Sequence, residues 1–398
     1  MYKELITFKN MPLSNSLLST KNENVECYDL KVGFDEETKL VFLVDNAPPE
    51  KLFPDDYVYD SSQSNTMQMH FKESAMTIQD RFEYSFMDKV LEIGSNSGIF
   101  IKHFNPDNSI AVEPCSNFAD ITNDMGYKTY DEFWGEELSK RIRQEHGTFD
   151  FIFSANTISH IQGLDECLNG VRRCLSDDGV FVVECPSFLE LLKGNAFDQF
   201  YHEHQSYFSM ISFRNLLERN GLKLFDIEQR PVHGGTYRFF ICKDTCYGSR
   251  CLPTYNLNKY EEMEKKFGVD SYDTLKDVMD IMKRNMIEIK SILQELKSNG
   301  KKVIGYGATA KFTQVSNMCN LNSELIGCVV DTTPDKYNKY IPKSKIKIIS
   351  YGKDSLIDVD YCFLGAWNYK DEILKKEEKF IKNGGKFITH IPKVEIIS

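Results

Sequence analysis

Between Tyr201 and Ser209 the chain reads Tyr-His-Glu-His-Gln-Ser-Tyr-Phe-Ser, so that Tyr201, His202, Glu203, His204 and Tyr207 fall within one short stretch. Such a density of imidazole, carboxylate and phenol is poor core material and good material for moving protons. Histidine titrates near neutral pH, and a neighbouring glutamate or tyrosine can fix its tautomer. If the stretch is extended, His202 and His204 share one face, and Tyr201 and Glu203 the other. Two imidazoles on one face also suit a metal, yet the sequence offers no clear third ligand. Further along, His233-Gly234-Gly235-Thr236 suits either a polar edge of an acceptor pocket or a hairpin turn.

Upstream lies a second chemical feature. Val90-Leu91-Glu92-Ile93-Gly94-Ser95-Asn96-Ser97-Gly98 reads as a strand with an acidic residue, Glu92, near its end, followed by a Gly-x-x-x-Gly loop that opens a helix. Gly94, Ser95 and Gly98 would let the backbone approach a ligand at the carboxyl end of that strand. Some twenty residues on, Ala111-Val112-Glu113-Pro114 sets Glu113 at the end of the next strand, where a carboxylate can bind both hydroxyls of a ribose. Asp131, after the following strand, is an adenine-side candidate. The loop is not Gly-x-Gly-x-x-Gly and offers no helix terminus to a pyrophosphate, so a sulfonium with an amino-acid tail, S-adenosylmethionine, fits better than NAD. The strand at Phe149–Ser154 then aims Asn156 and His160 at the methyl donor, although a lone histidine also serves as a structural residue.

The elements that must position these groups fall into blocks. Residues 1–71 read as a small N-terminal α+β domain, with a strand-like piece at Lys39–Val44 and a hydroxyl-rich stretch from Tyr57 to Ser64. Residues 72–255 alternate apolar runs with helical patterns, the mark of a parallel sheet with crossover helices. The strands expected there are Lys89–Glu92, Ser109–Val112, Phe149–Ser154, Gly179–Glu184, Leu222–Gln229 and Tyr237–Cys242. A helical connector at 256–299 leads to a second, smaller Rossmann-like domain at 300–398. Strands are expected there at Leu325–Asp331, Tyr361–Leu364 and Lys386–His390, after the glycine turn Gly305-Tyr306-Gly307-Ala308. The fold class is therefore α/β.

Composition excludes several functions. A formal charge of −11 over 398 residues argues against a nucleic-acid partner. No apolar run reaches membrane-spanning length and the first residues lack a signal-peptide layout, which predicts a cytoplasmic protein without membrane association. The eleven cysteines are scattered, with no Cys-x-x-Cys pair, and read as reduced thiols.

Taken together, these motifs resemble the SAM-dependent C-methyltransferases that act on nucleotide-linked keto-sugars in deoxysugar and surface-polysaccharide biosynthesis. The resemblance runs nearly end to end. It includes Met11–Leu18, Tyr57–Ser64, the Tyr-His-Glu-His block, His-Gly-Gly-Thr, the turn from Gly305 to Lys311, Asp331–Lys336 and Trp367-Asn368. It implies a general base at His204, with Tyr201, Glu203 and His160 in support and Tyr57 and Tyr59 lining the sugar pocket. His233 and Lys311 would add substrate contacts, Lys311 from a C-terminal domain that helps hold the sugar nucleotide. The alternative is an O- or N-methyltransferase of a nucleotide sugar or surface-glycan precursor. A dehydrogenase using the C-terminal glycine turn fits less well, because Asp331 sits in an Asp-x-x-Pro turn. One departure stands out: the family's N-terminal cysteine quartet for zinc is missing, since Cys27 is the only cysteine before Cys115. No zinc is therefore expected.

Overall fold

The structure is a computed structural model that describes residues 2–55, 57–248, 251–352 and 354–398. Three sheets organise it. The first has the order β1 (Tyr2–Pro12), β2 (Cys27–Asp35), β3 (Val41–Leu43) and, from far along the chain, β9 (Ser206–Tyr207). β9 is short and comes from the Tyr-His-Glu-His block, pairing Tyr207 with Val41 and Ser206 with Phe42. The Tyr-His-Glu-His block is thus anchored at one end as a strand of the N-terminal sheet.

The central sheet contains β4 (Val90–Ile93), β5 (Ser109–Val112), β6 (Lys128–Tyr130), β7 (Phe149–Ala155), β8 (Leu175–Pro186), β10 (Leu222–Arg230) and β11 (Thr236–Lys243), in the order β10-β11-β8-β7-β4-β5-β6. β6, β5, β4, β7 and β8 run parallel, β11 runs antiparallel to β8, and β10, antiparallel to β11, takes the direction of the parallel strands again. Runs such as Val90–Ile93 and Phe149–Ala155 form strands because helices cover both faces of the sheet, so every side chain finds an apolar neighbour. The order reverses between β4 and β7. At that switch point the carboxyl ends of the strands leave a crevice.

The helix Asn65–Arg81 packs over this sheet through a buried charged cluster. Arg238, wholly buried, donates to Glu184, Glu73 and Ser74, and His70 and Ser74 also reach Glu184. Burial alone would push the Glu184 carboxyl up, but the bond from His70 and the charge of Arg238 bring it down to about 2. Removing one partner from such a set leaves an unpaired buried charge, at about 3–5 kcal/mol.

The segment expected as one connector forms two helices, Tyr255–Phe267 and Tyr272–Ser298, separated at Gly268, whose φ of +88° is the left-handed turn glycine favours. The second buries Leu275, Met279, Met282, Met286, Ile289 and Leu293 at helical spacing. These residues join a single core with Leu30, Val32 and Phe34 of the first sheet and Val329 and Phe363 of the third. The third sheet has the order β14-β13-β12-β15-β16-β17, comprising β12 (Val303–Tyr306), β13 (Cys328–Asp331), β14 (Lys347–Ser350), β15 (Tyr361–Leu364), β16 (Lys386–Thr389) and an antiparallel β17 (Glu395–Ile397). No helix among the described residues is long and apolar enough to cross a membrane.

Candidate active site

At the switch point a cavity of about 350 Å³ opens over the carboxyl ends of β4, β5 and β7. Its walls include Glu92, Gly94, Ser95, Glu113, Asn156 and His160, with Tyr57 and Tyr59 closing the N-terminal side. Glu113 accepts from the backbone N–H of Asn96 at 2.7 Å and of Cys115 at 3.0 Å, so its carboxylate is fixed at the rim. Glu92 is fully buried and accepts from the N–H of Ile101 at 3.0 Å, which ties β4 to the segment after the loop. Two buried polar atoms on this wall, Ser95 Oγ and Asn156 Oδ1, have no partner among the described residues. Buried polar atoms are seldom left unpaired, and here both line a cavity. That is the donor and acceptor set a polar nucleoside with an amino-acid tail would satisfy.

The two glycines of the loop have different reasons. Gly94 lines the cavity at φ +77°, and a Cβ there would fall 2.0 Å from Thr157 Oγ1. Gly98, at φ +71°, instead faces Met125 and Thr122 and does not line the cavity, so it serves packing of the loop rather than approach to a ligand. Asn96 was not singled out from the sequence, yet it organises the rim. Its Oδ1 accepts from the backbone and hydroxyl of Ser61, and its Nδ2 donates to the Tyr59 carbonyl. Asp60 accepts from Ser97 at 2.7 Å. The hydroxyl-rich stretch before the first long helix is therefore strapped onto the glycine loop. An asparagine between two glycines, in a loop that needs positive φ (here +47°), was the available signal.

The Tyr-His-Glu-His block is not extended from Tyr201 to Gln205. It turns, with the His204 N–H donating to the Tyr201 carbonyl at 2.9 Å, and becomes a strand only at Ser206. Hence the two histidines do not share a face. The His202 ring lies against Tyr28, 5.9 Å between centroids, and the backbone of Tyr28 and Asp29 approaches it without well-aligned hydrogen bonds. The His204 ring stacks on His160 at 5.2 Å and lies tilted against Tyr201 at 3.9 Å. His160 in turn stacks on Phe53 and forms part of the cavity wall. A column of rings thus leads from the donor cavity to His204.

Electrostatics distinguish the groups in this column. Burial depresses His160 to about 4, and burial, helped by His160 and Lys311, holds His204 well below its ordinary value. Both imidazoles are neutral at neutral pH. The Nδ1 of His204 lies 3.0 Å from the Gln199 carbonyl, which only a protonated Nδ1 can bond, so the lone pair sits on Nε2. Glu203 is buried and accepts from the Tyr57 hydroxyl and from Asn15, each at 2.8 Å, and burial raises its carboxyl to about 7.

The charge of Lys311 bears on both His204 and His233. Burial lowers the pKa of Lys311, while the charge of Asp198 works against that. The ammonium lies over the Trp367 ring at 5.9 Å. Trp367 and His390 both reach Asp198 at 2.8 Å, a contact between the central and C-terminal regions that no local motif announced. The His-Gly-Gly-Thr segment is the turn between β10 and β11, with His233 itself at φ +55° and its Nε2 buried without a partner. In the third sheet Asp331 does stand opposite the glycine turn, accepting from Ala308 N–H at 2.8 Å and Thr333 N–H at 2.9 Å.

Comparison with known proteins fits this geometry. Residues 57–227 match the family described as methyltransferase domain, and residues 231–392 the family described as C-methyltransferase C-terminal domain. A cavity over a switch point, a rim acid and these matches define an S-adenosylmethionine-dependent methyltransferase. The C-methyltransferase NovU of Streptomyces niveus is 31% identical over 399 residues, spanning 99% of this chain and 94% of its own. The chain therefore belongs to the C-methyltransferase family. Among solved structures, the magnesium protoporphyrin IX methyltransferase of Synechocystis with bound SAH is 10% identical, covers 44% of this chain and 83% of its own, and gives a TM-score of 0.34. A SAM-dependent methyltransferase of Anabaena variabilis is 14% identical over 43% of this chain and 84% of its own, with a TM-score of 0.33.

Proposed function

We propose that the enzyme methylates a carbon beside the ketone of a nucleotide-linked keto-sugar, with His204 as general base. The observation that carries this is the tautomer of His204: Nδ1–H is spent on the Gln199 carbonyl, leaving Nε2 free to take a proton beside the ring column that leads to the donor cavity. Loss of a proton next to a ketone yields an enolate, whose charge the neighbouring hydroxyl of Tyr201 would stabilise, the Tyr57 hydroxyl being spent on Glu203. S-adenosylmethionine, when bound, supplies an electrophilic methyl group. Glu92, Ser95, Glu113 and Asn156 would hold it, and Tyr57 and Tyr59 would orient the sugar against it. Near-attack alignment of the two carbons accounts for much of the remaining rate. Lys311 and His233 are suited to contacts with the substrate.

A second reading is favoured by one observation. Glu203 is buried with its carboxyl at about 7, the value expected of a general base working near neutrality. In that reading His204 supports rather than abstracts.

The test is exchange in heavy water. With the keto-sugar nucleotide and the demethylated cofactor product present, the wild type should wash deuterium into the position beside the ketone. His204→Asn should abolish that exchange and methylation while S-adenosylmethionine binding stays near wild type. A product methylated on oxygen, with no carbon exchange, would overturn the proposal, and full turnover in His204→Asn would move the base to Glu203.

A further inference from the structure

Three of the eleven cysteines, Cys242, Cys246 and Cys251, converge although the sequence shows no ligand-like spacing. Cys242 lies near the end of β11, and the other two come from the loop that leads to the helix Tyr255–Phe267. Their sulfurs lie within 4.8 Å of one another. Around a tetrahedral zinc with bonds of about 2.3 Å, sulfurs stand roughly 3.8 Å apart, so only a small contraction closes the set. No disulfide joins any of them.

The loop gives a reason for such a site. Tyr247 and Leu252, its larger apolar side chains, point to solvent at 89% and 62% exposure. Among the described residues from Asp244 to Thr254, only Cys246 and Cys251 are buried. Those two thiols share a core with Phe225 and Phe240, so a bond joining the sulfurs would pin the loop to the sheet. Asp178 Oδ1 lies 3.8 Å from Cys246 Sγ but does not join the three sulfurs in the converging group, so it stands beside the set rather than in it. Lys223 donates to the Cys246 carbonyl, placing a cation beside what would be a singly negative zinc centre with three thiolates.

We infer that Cys242, Cys246 and Cys251 form a structural site for one thiophilic divalent ion, zinc by ligand softness, with water as the fourth ligand. The site lies outside the donor cavity and outside the ring column. It binds the end of the central sheet to the start of the following helix. It is independent of the N-terminal cysteine quartet whose absence led to the expectation of no zinc.

The experiment is elemental analysis of the whole chain, purified under reducing conditions without chelator. One zinc per chain is expected. Each of Cys242→Ser, Cys246→Ser and Cys251→Ser should lose it at least tenfold more readily to a chelator, whereas Cys319→Ser, buried in another core, should retain it. Should the serine variants fail to fold, wild type exchanged with Co²⁺ gives the answer directly. Sulfur-to-cobalt charge transfer at the strength of three thiolates with a tetrahedral visible spectrum supports the site. A metal-free chain with no thiolate band, a disulfide between any two of the three, or zinc retained in full by the serine variants would each overturn it.

Discussion

Replacing Tyr57 by phenylalanine separates the two candidate bases without substituting either. The Tyr57 hydroxyl donates to Glu203 Oε2 at 2.8 Å, and that carboxyl stands at about 7 because burial outweighs this bond and the one from Asn15. A hydrogen bond to a charged group contributes about 1.5–3 kcal/mol, and at about 1.4 kcal/mol per pH unit its loss carries Glu203 to roughly 8–9. His204 has no bond to Tyr57 and is held down by its burial, His160 and Lys311, so its titration stays well below 6.5. The assay is the pH dependence of kcat/KM for wild type and Tyr57→Phe. With His204 as base, the acid limb lies below pH 6.5 in both proteins and only the plateau falls, since Tyr57 also lines the cavity. A wild-type limb near pH 7 that climbs by one to two pH units in the variant would refute the assignment and make Glu203 the base.

Two other expectations concern the donor site and the buried histidines. Glu113→Ala should weaken S-adenosylmethionine binding roughly 10- to 150-fold by calorimetry, the value of one or more lost bonds to a charged acceptor, with no nicotinamide nucleotide binding in either protein. His202 is depressed to about 4 by burial, below its ordinary 6.5, so the stability it permits is present above pH 6.5 and lost as pH falls toward 4. Between pH 8 and pH 5 that loss is about 2 kcal/mol, and His202→Asn should lack it. Denaturant unfolding at the two pH values checks this, and a wild-type-to-variant difference that does not change with pH would contradict it.

Much of the central sheet was legible because its strands are unbroken apolar runs between turn residues. Ser109–Val112 there and Tyr361–Leu364 in the third sheet form as read, and Gly179–Glu184 lengthens at both ends to Leu175–Pro186. What escaped the sequence was long-range. Asn15 reaches Glu203 across 188 residues, and Asp198 joins Trp367 and His390 across 169 and 192. Neither contact has a local pattern. The Tyr-His-Glu-His block misled through its alternation, which suggested a strand; a polar stretch becomes extended only where a neighbour offers an edge, and β3 offers one only to Ser206 and Tyr207. The cysteine cluster was hidden because β11 and the loop after it bring together sulfurs whose sequence spacing follows no ligand motif.

The core that joins the first and third sheets through the helix Tyr272–Ser298 has a consequence for biosynthesis. β1 leaves the ribosome well before that helix, and its carbonyls at Glu4 and Leu5 are met by Tyr272 and Lys276, 268 and 271 residues later. At translation rates of 5–20 residues per second that is a wait of roughly 15–50 s. During that time Leu30, Val32 and Phe34, which end up wholly buried, have no lasting partner for the face that this helix will cover. The nascent chain must therefore carry an exposed apolar sheet through most of its synthesis. Its yield in a cell should depend on chaperone capacity far more than the stability of the finished enzyme would suggest.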